Sequence, residues 1–253
     1  MAAPRAMAAL ALASAVILVA VATSACINLP FFSQPGSRSR DFVSGEKFTT
    51  LIVEVDWMVD GSKDYKPSAL VLTFLQQRLS ERLNKPGGIT VELGNAIAST
   101  RSSYGAGDLS NVERDNRASH DSGSTVTMWV VFATHSSDDT PNGRVIGLAY
   151  AGSAFAIFAA SIEEVTGLLV PAQEVERIAT VHEAGHLLGL VNNGTPMVTP
   201  HEDSQHPKHS TDHASVMYWE VEGGGIVNLI QGGNAPDNFD TNDVADLRGI
   251  GGK

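Results

Sequence analysis

Two histidines four residues apart, with a glutamate beside the first, are the residues of this chain best suited to chemistry. The run is His182-Glu183-Ala184-Gly185-His186. Residues four apart lie on one face of an α-helix, so both imidazoles can bind one metal ion. Glu183 lies about 100° around that helix, where its carboxylate can take a proton from a water molecule instead of binding the metal. We therefore predict a hydrolytic Zn²⁺ site, in which zinc lowers the pKa of water toward ~7.

The segment around this run has the pattern of an apolar helix, which the chemistry requires. Residues 171–191 are mainly apolar, and Pro171 suits a first helical turn. Glu174 lies near the positive end of the helix dipole, and Gly189 is a typical helix stop. An amphipathic helix with two surface histidines would show the same pattern, and it is the alternative interpretation.

A third ligand must come from outside this helix, because catalytic zinc sites of this kind use three protein ligands and leave one position open. Six of the eight histidines lie between residues 182 and 213, so several possible ligands are close in sequence. Zinc prefers imidazole to an amide oxygen. The residues alone leave several candidates open: His201, His206, His209, His213 and the side-chain amide of Asn192.

The spacing from His182 to Gly189 resembles the first part of the HExxHxxGxxH signature of the metzincins, a family of zinc metallopeptidases. The third histidine of that signature would fall at position 192, but this chain has Asn192 there. We interpret residues 192–208 as an insertion between the glycine turn and the third ligand.

A second resemblance concerns Met217. The run from Ser215 to Tyr218, SVMY, resembles the methionine turn that lies beneath the metal in metzincins. In matrixins and archaemetzincins the third histidine comes eight residues before that methionine, which corresponds to His209 here.

The resemblance implies a zinc-dependent peptidase that acts on protein or peptide substrates. His182, His186 and His209 would bind Zn²⁺, and Glu183 would be the general base. Two alternatives stay open at this point. One is a surface lipoprotein that binds zinc or peptide without catalysis, and the other is a structural envelope lipoprotein with a fortuitous motif.

The spacings of the histidines and Asp203 within residues 201–209 could also make a second metal site, although a solvated polar loop is the simpler interpretation.

The remaining pattern predicts a metzincin-like α+β fold. We expect one mixed, twisted sheet with two main helices in an upper lobe, residues 47–191, and a small irregular lower lobe, residues 192–253, with a short helix. The predicted segments are strands at 48–59, 89–97 and 125–133, two short strands within 145–162, helices at 67–83, 171–191 and 240–250, and a long surface loop at 99–124.

The amino terminus has the pattern of an export signal over residues 1–25, with Arg5 before an apolar stretch. Cys26, the only cysteine, follows small residues as in a bacterial lipobox, although Thr23 departs from that pattern. We predict a lipid on Cys26 that anchors the protein to a membrane, with residues 26–46 as a tether. Ordinary cleavage, which would leave a secreted protein, and a single anchor helix are the alternatives.

The net charge limits the kinds of binding partner, and the cysteine content limits how the fold can be stabilised. The formal net charge of −11 argues against nucleic acid as a partner. One cysteine excludes a disulfide within the chain, so the core or a metal must hold the fold together. We expect the protein to act as a monomer.

Overall fold

A mixed β-sheet with helices packed against it forms the centre of the protein, for which a computed structural model describes residues 34–253. A short 3₁₀ helix, Trp219–Glu222, lies in the carboxyl-terminal part. In chain order the described elements are α1 (Ser39–Val43), β1 (Thr50–Asp60), β2 (Lys63–Asp64), α2 (Ala69–Arg82), β3 (Gly88–Ala98), β4 (Ser103–Tyr104), α3 (Ala106–Asn116), β5 (Thr125–Ala133), β6 (His135–Ser136), β7 (Gly147–Ala151), β8 (Ala154–Phe158), α4 (Ala159–Val165), α5 (Ala172–Leu187), α6 (Ile226–Gln231) and α7 (Thr241–Gly249).

The main sheet is parallel except near its margins. Strand β1 pairs in parallel with β3 and with β5, and β5 pairs in parallel with β8. Strand β7 is antiparallel to β8 and lies at the end of the sheet, and the short β2 is antiparallel to β1. This arrangement of one mixed sheet and several helices confirms the predicted α+β class.

Strand β5 is buried almost throughout, because side chains pack against both faces of the sheet. On one face, Met128 and Val130 belong to the large core that also contains residues of α2 and α5. On the other face, Trp129 and Val131 pack in a smaller core with Leu109 of α3. A run of apolar residues without polar alternation is typical of such a strand, and the prediction for residues 125–133 is confirmed.

Two regions differ from the predictions. Residues 99–124, expected to be a long surface loop, contain β4 and the three-turn helix α3. Within α3 only Leu109 is buried, so the sequence lacks the apolar stripe that would have indicated a helix. The two strands expected within 145–162 are present, but the second ends at Phe158 and the following residues form α4.

The segment expected to be a tether is folded where the structure describes it. Phe42 and Val43 of α1 are fully buried in the large core. Lys85 secures this region, since its ammonium group donates to the carbonyl oxygens of Asp41 and Ser44 at 2.6 Å and of Phe48 at 2.8 Å. The tether prediction is therefore wrong for residues 39–46, and the domain begins before residue 47.

The predicted export signal and Cys26 lie outside the described residues. All the described residues belong to one compact unit. Within residues 34–253, none of the helices combines the length and the apolar character needed to cross a membrane.

Candidate metal centre

Helix α5 carries the HExxH run in the buried interior. It packs against α2, α4 and the strands β7 and β8. The chain leaves the helix at Gly189, whose φ of 77° lies in the left-handed region that glycine adopts without strain. A Cβ at this position would also lie within 3.0 Å of Thr195 and Ser39. Gly189 therefore ends the helix, as predicted, and turns the chain toward the histidine-rich segment.

Three of the predicted residues converge. The ligand atoms of His182, His186 and His209 all lie within 4.8 Å of one another. The Nε2 atoms of His182 and His186 are 3.1 Å apart, and the His209 ring centroid lies 5.2 Å and 5.1 Å from their two ring centroids. All three side chains are buried. This group could hold a metal ion.

Hydrogen bonds orient two of these rings. The Nδ1 atom of His182 lies 2.7 Å from the carbonyl oxygen of Val216, and Nδ1 of His209 lies 3.1 Å from that of Pro207. Since a carbonyl can only accept, each Nδ1 donates, and the Nε2 lone pair is left to face the other rings. The Nε2 lone pairs of His182 and His209 are thus available to bind a metal ion.

The protonation state of His182 and His186, the two histidines on helix α5, also suits metal binding. Burial, together with the proximity of His209, lowers the pKa of His182 to about 4. Burial and the neighbouring His182 hold the pKa of His186 well below its usual range. Both rings are therefore neutral at pH 7, which is the form of imidazole that binds metals.

Glu183 is fully buried, and neither carboxylate oxygen has a hydrogen-bond partner among the described groups. It packs against Gly147 at the start of β7, where a Cβ would overlap the carboxylate. Burial raises the pKa of Glu183 well above its usual range, and the negative charge of Glu222 adds to the effect. A buried carboxyl group without partners is costly, which is typical of a group that acts on a ligand.

Met217 lies directly against the helix that carries the histidines. Its side chain is fully buried, and a Cβ added to Gly185 would collide with its sulfur atom. The hydroxyl of Ser215 accepts from the Met217 N–H at 2.9 Å and donates to Asp243 of α7. The turn that resembles the methionine turn is thus fixed against helix α5.

Two of the other candidate ligands lie elsewhere. The side-chain amide of Asn192 donates to Glu202 at 2.9 Å. The ring of His206 stacks on Trp219 with 4.1 Å between centroids, and its Nδ1 contacts Asp203 at 2.8 Å. Neither side chain joins the three-histidine group.

His213 and His201 also have other neighbours. The ring of His213 stacks on Tyr218, with 4.1 Å between centroids. The Nε2 atom of His201 lies 3.5 Å from Asp243 and 3.7 Å from Asp246, and both carboxylates are fully buried. His201 therefore connects the inserted segment to α7.

Glu222 was not predicted, yet it lies beside His209. Its Oε2 atom is 3.2 Å from Nε2 of His209. Burial opposes its ionisation, but the contact with His209 and the proximity of His182 outweigh burial, so the pKa of Glu222 is lowered. Glu222 ends the 3₁₀ helix that follows Met217, and no motif in the sequence distinguishes it from other acidic residues.

No protein-family profile and no curated protein matches this sequence. Among solved structures, the archaemetzincin of Methanopyrus kandleri is similar, with a TM-score of 0.48 and 16% sequence identity. The similarity covers 81% of this chain and 96% of that chain. Functional inference for this chain therefore depends on the geometry of its own site.

Proposed function

We propose that this chain is a zinc-dependent peptidase in which His182, His186 and His209 hold the metal. The observation that carries this proposal is the convergence of three buried imidazoles beside Glu183, a buried carboxylate without a partner. Three imidazoles are a common ligand set for catalytic zinc. The neighbouring carboxylate provides the proton acceptor that hydrolysis needs.

Zinc, when bound, supplies Lewis acidity that polarises a carbonyl group and lowers the pKa of water. Glu183 would accept a proton from the attacking water on a free carboxylate oxygen and then deliver it to the leaving nitrogen. Gly147 leaves room for this carboxylate, since any side chain there would overlap it. Hydrogen bonds to backbone carbonyls hold the rings of His182 and His209, so these rings need not rotate before they bind the metal.

The position of strand β7 supports a peptide as substrate. It pairs with β8 on one side, and no described strand pairs with its other side along Gly147–Ala151. An extended peptide could add to such an edge through main-chain hydrogen bonds. Since Gly147 at its start contacts Glu183, a peptide bound along β7 would bring a scissile bond close to the proposed general base.

Cleavage of casein and of a peptide library by zinc-loaded protein tests this proposal. We expect Glu183→Gln to reduce kcat/KM by about 100-fold or more, the usual contribution of a general base. Glu176→Gln is the matched control, because Glu176 lies on the same helix about two turns before Glu183. Equal cleavage by wild type and Glu183→Gln would overturn the proposal and favour a protein that binds zinc or peptide without catalysis.

We also propose that the enzyme is exported and anchored through Cys26. The support is the sequence pattern of residues 1–25 and the lone cysteine that follows it. Metabolic labelling with a radioactive fatty acid is expected to label the wild type and not Cys26→Ser. Equal labelling of both would contradict the anchor.

A further inference from the structure

The carboxylate of Glu222 lies against His209, one of the three converging histidines. Its Oε2 atom is 3.2 Å from Nε2 of His209, and that nitrogen has no hydrogen-bond partner among the described groups. His209 is buried, whereas the Glu222 side chain is 39% exposed. Glu222 therefore lies on the solvent side of the imidazole group.

The separation of these two atoms allows both to bind one zinc ion. Ligand atoms about 2.0–2.1 Å from a tetrahedral zinc lie about 3.3 Å from one another. The Nε2 atoms of His182 and His186 are 3.1 Å apart, and the Glu222–His209 distance is almost the same. A carboxylate that acted only through a bridging water would lie farther from the histidine nitrogen.

Backbone contacts keep Glu222 in this place. Its carbonyl oxygen accepts from the N–H of Ile146 at 3.1 Å, and the next residue, Gly223, forms an antiparallel bridge with Val145. The 3₁₀ helix is thus attached to the start of β7, beside the proposed substrate edge. The side chain has three rotatable bonds, so its carboxylate can leave the imidazole group without movement of this backbone.

We propose that Glu222 is a fourth protein ligand, which closes the metal site until an entering substrate displaces it. The inference rests on the proposed function, because it assigns a regulatory ligand to the same site. Closed sites with four protein ligands are structural, whereas catalytic sites keep one position open. A displaceable carboxylate would hold the site closed at rest and open it when a peptide occupies the cleft.

Cobalt substitution of the full folded domain tests this directly, because the visible spectrum of Co²⁺ reports its ligands without any need for turnover. Azide is the probe of an open position. We expect azide to leave the wild-type spectrum unchanged and to alter those of Glu222→Ala and Glu222→Gln, with at least about tenfold tighter azide binding than wild type. Competition with a chelator should show zinc affinity at least about tenfold weaker in both variants, a loss typical of disturbed ligand shells.

Glu220→Ala is the control, since Glu220 lies on the same 3₁₀ helix but makes no ion pair with the imidazole group. It should behave as wild type in every measurement. Azide binding to cobalt-loaded wild type as tight as to Glu222→Ala would overturn the inference and leave the proposed function standing. Failure of the wild type to bind cobalt at all would overturn both.

Discussion

The Nδ1 atom of His182 donates a hydrogen bond to the carbonyl oxygen of Val216, 2.7 Å away. This contact joins helix α5 to the turn around Met217, although the two residues are 34 positions apart in the chain. It fixes which nitrogen of His182 is free for a metal. The position of His209 follows from the same turn, because the N–H of Ser210 donates to the carbonyl oxygen of Met217 at 2.8 Å.

Removal of the third imidazole is expected to abolish tight metal binding. His209→Ala should weaken zinc binding by roughly 100-fold or more, since even loss of a group that merely orients a ligand costs about 10–100-fold. His206→Ala is the control, because the ring of His206 stacks on Trp219 and is not part of the three-histidine group. Competition with a chelator of known affinity measures both constants. Equal losses in the two variants would contradict the assignment of His209.

Zinc should stabilise the fold, because it binds only where the three imidazoles are brought together. A ligand present at about 1,000 times its Kd stabilises by about 4 kcal/mol. For a domain of this size that corresponds to a rise in Tm of roughly 8–16 °C. Thermal unfolding with and without EDTA measures the difference, and the His182→Ala variant should show none. An EDTA-independent Tm in the wild type would count against a metal centre.

Gly147→Ala should impair catalysis without loss of metal. A methyl group at Gly147 would overlap the Glu183 carboxylate and displace it, whereas the three imidazoles would stay in place. We expect kcat/KM to fall by about 100-fold, as for loss of the proposed general base, with zinc content unchanged. Gly143→Ala is the matched control, because the nearest atom to a Cβ there is Thr140 Oγ1 at 3.7 Å. Full activity of Gly147→Ala would show that Glu183 is not needed where the structure places it.

His201 should make stability depend on pH. The buried carboxylate of Asp243, 3.5 Å from Nε2 of His201, raises the pKa of His201 to about 9, from about 6.5 in the unfolded chain. Because the folded pKa is the higher one, the stabilisation is complete below pH 6.5 and is lost as the pH rises through 9. The shift corresponds to about 3 kcal/mol.

Urea unfolding at pH 6, 7.5 and 9.5, with EDTA present so that metal does not contribute, tests this prediction. The wild type should lose stability over this range, and His201→Gln should show a much flatter dependence. Asp243 and Asp246 are the charged groups that face His201 in the described chain. Parallel pH profiles for the two proteins would contradict the role of His201.

Phe42→Ala should destabilise the domain, although Phe42 lies in a segment whose sequence resembles a tether. Its side chain is fully buried in the large core, and truncation of a buried phenylalanine costs about 3–5 kcal/mol. Arg40→Ala is a suitable control, because Arg40 makes an exposed ion pair with Glu46. Denaturant unfolding compares the variants, and a loss below about 1 kcal/mol for Phe42→Ala would indicate that the segment is dispensable.

The parts of the fold with regular apolar patterns could be predicted from the sequence. Strand β5 and helix α5 are buried over most of their length, so their composition alone indicates their structure. Helices α1 and α3 could not be predicted. One has five residues, and the other buries only Leu109, so neither has a repeated apolar pattern.

Only some residues of the site could be predicted from the sequence. His182, Glu183 and His186 are placed by helical geometry alone. His209 was singled out only through a family spacing, because five candidates remained when the residues were considered by themselves. Glu222 is one of 28 acidic residues, and its position depends on a backbone contact between the 3₁₀ helix and Ile146, which no local pattern reports.

Anomalous diffraction at the zinc absorption edge, from crystals of zinc-loaded protein, locates the metal and its ligands. We expect one strong peak about 2.0–2.1 Å from the Nε2 atoms of His182, His186 and His209. A peak bound instead by other side chains, or the absence of any peak at these three histidines, would contradict it.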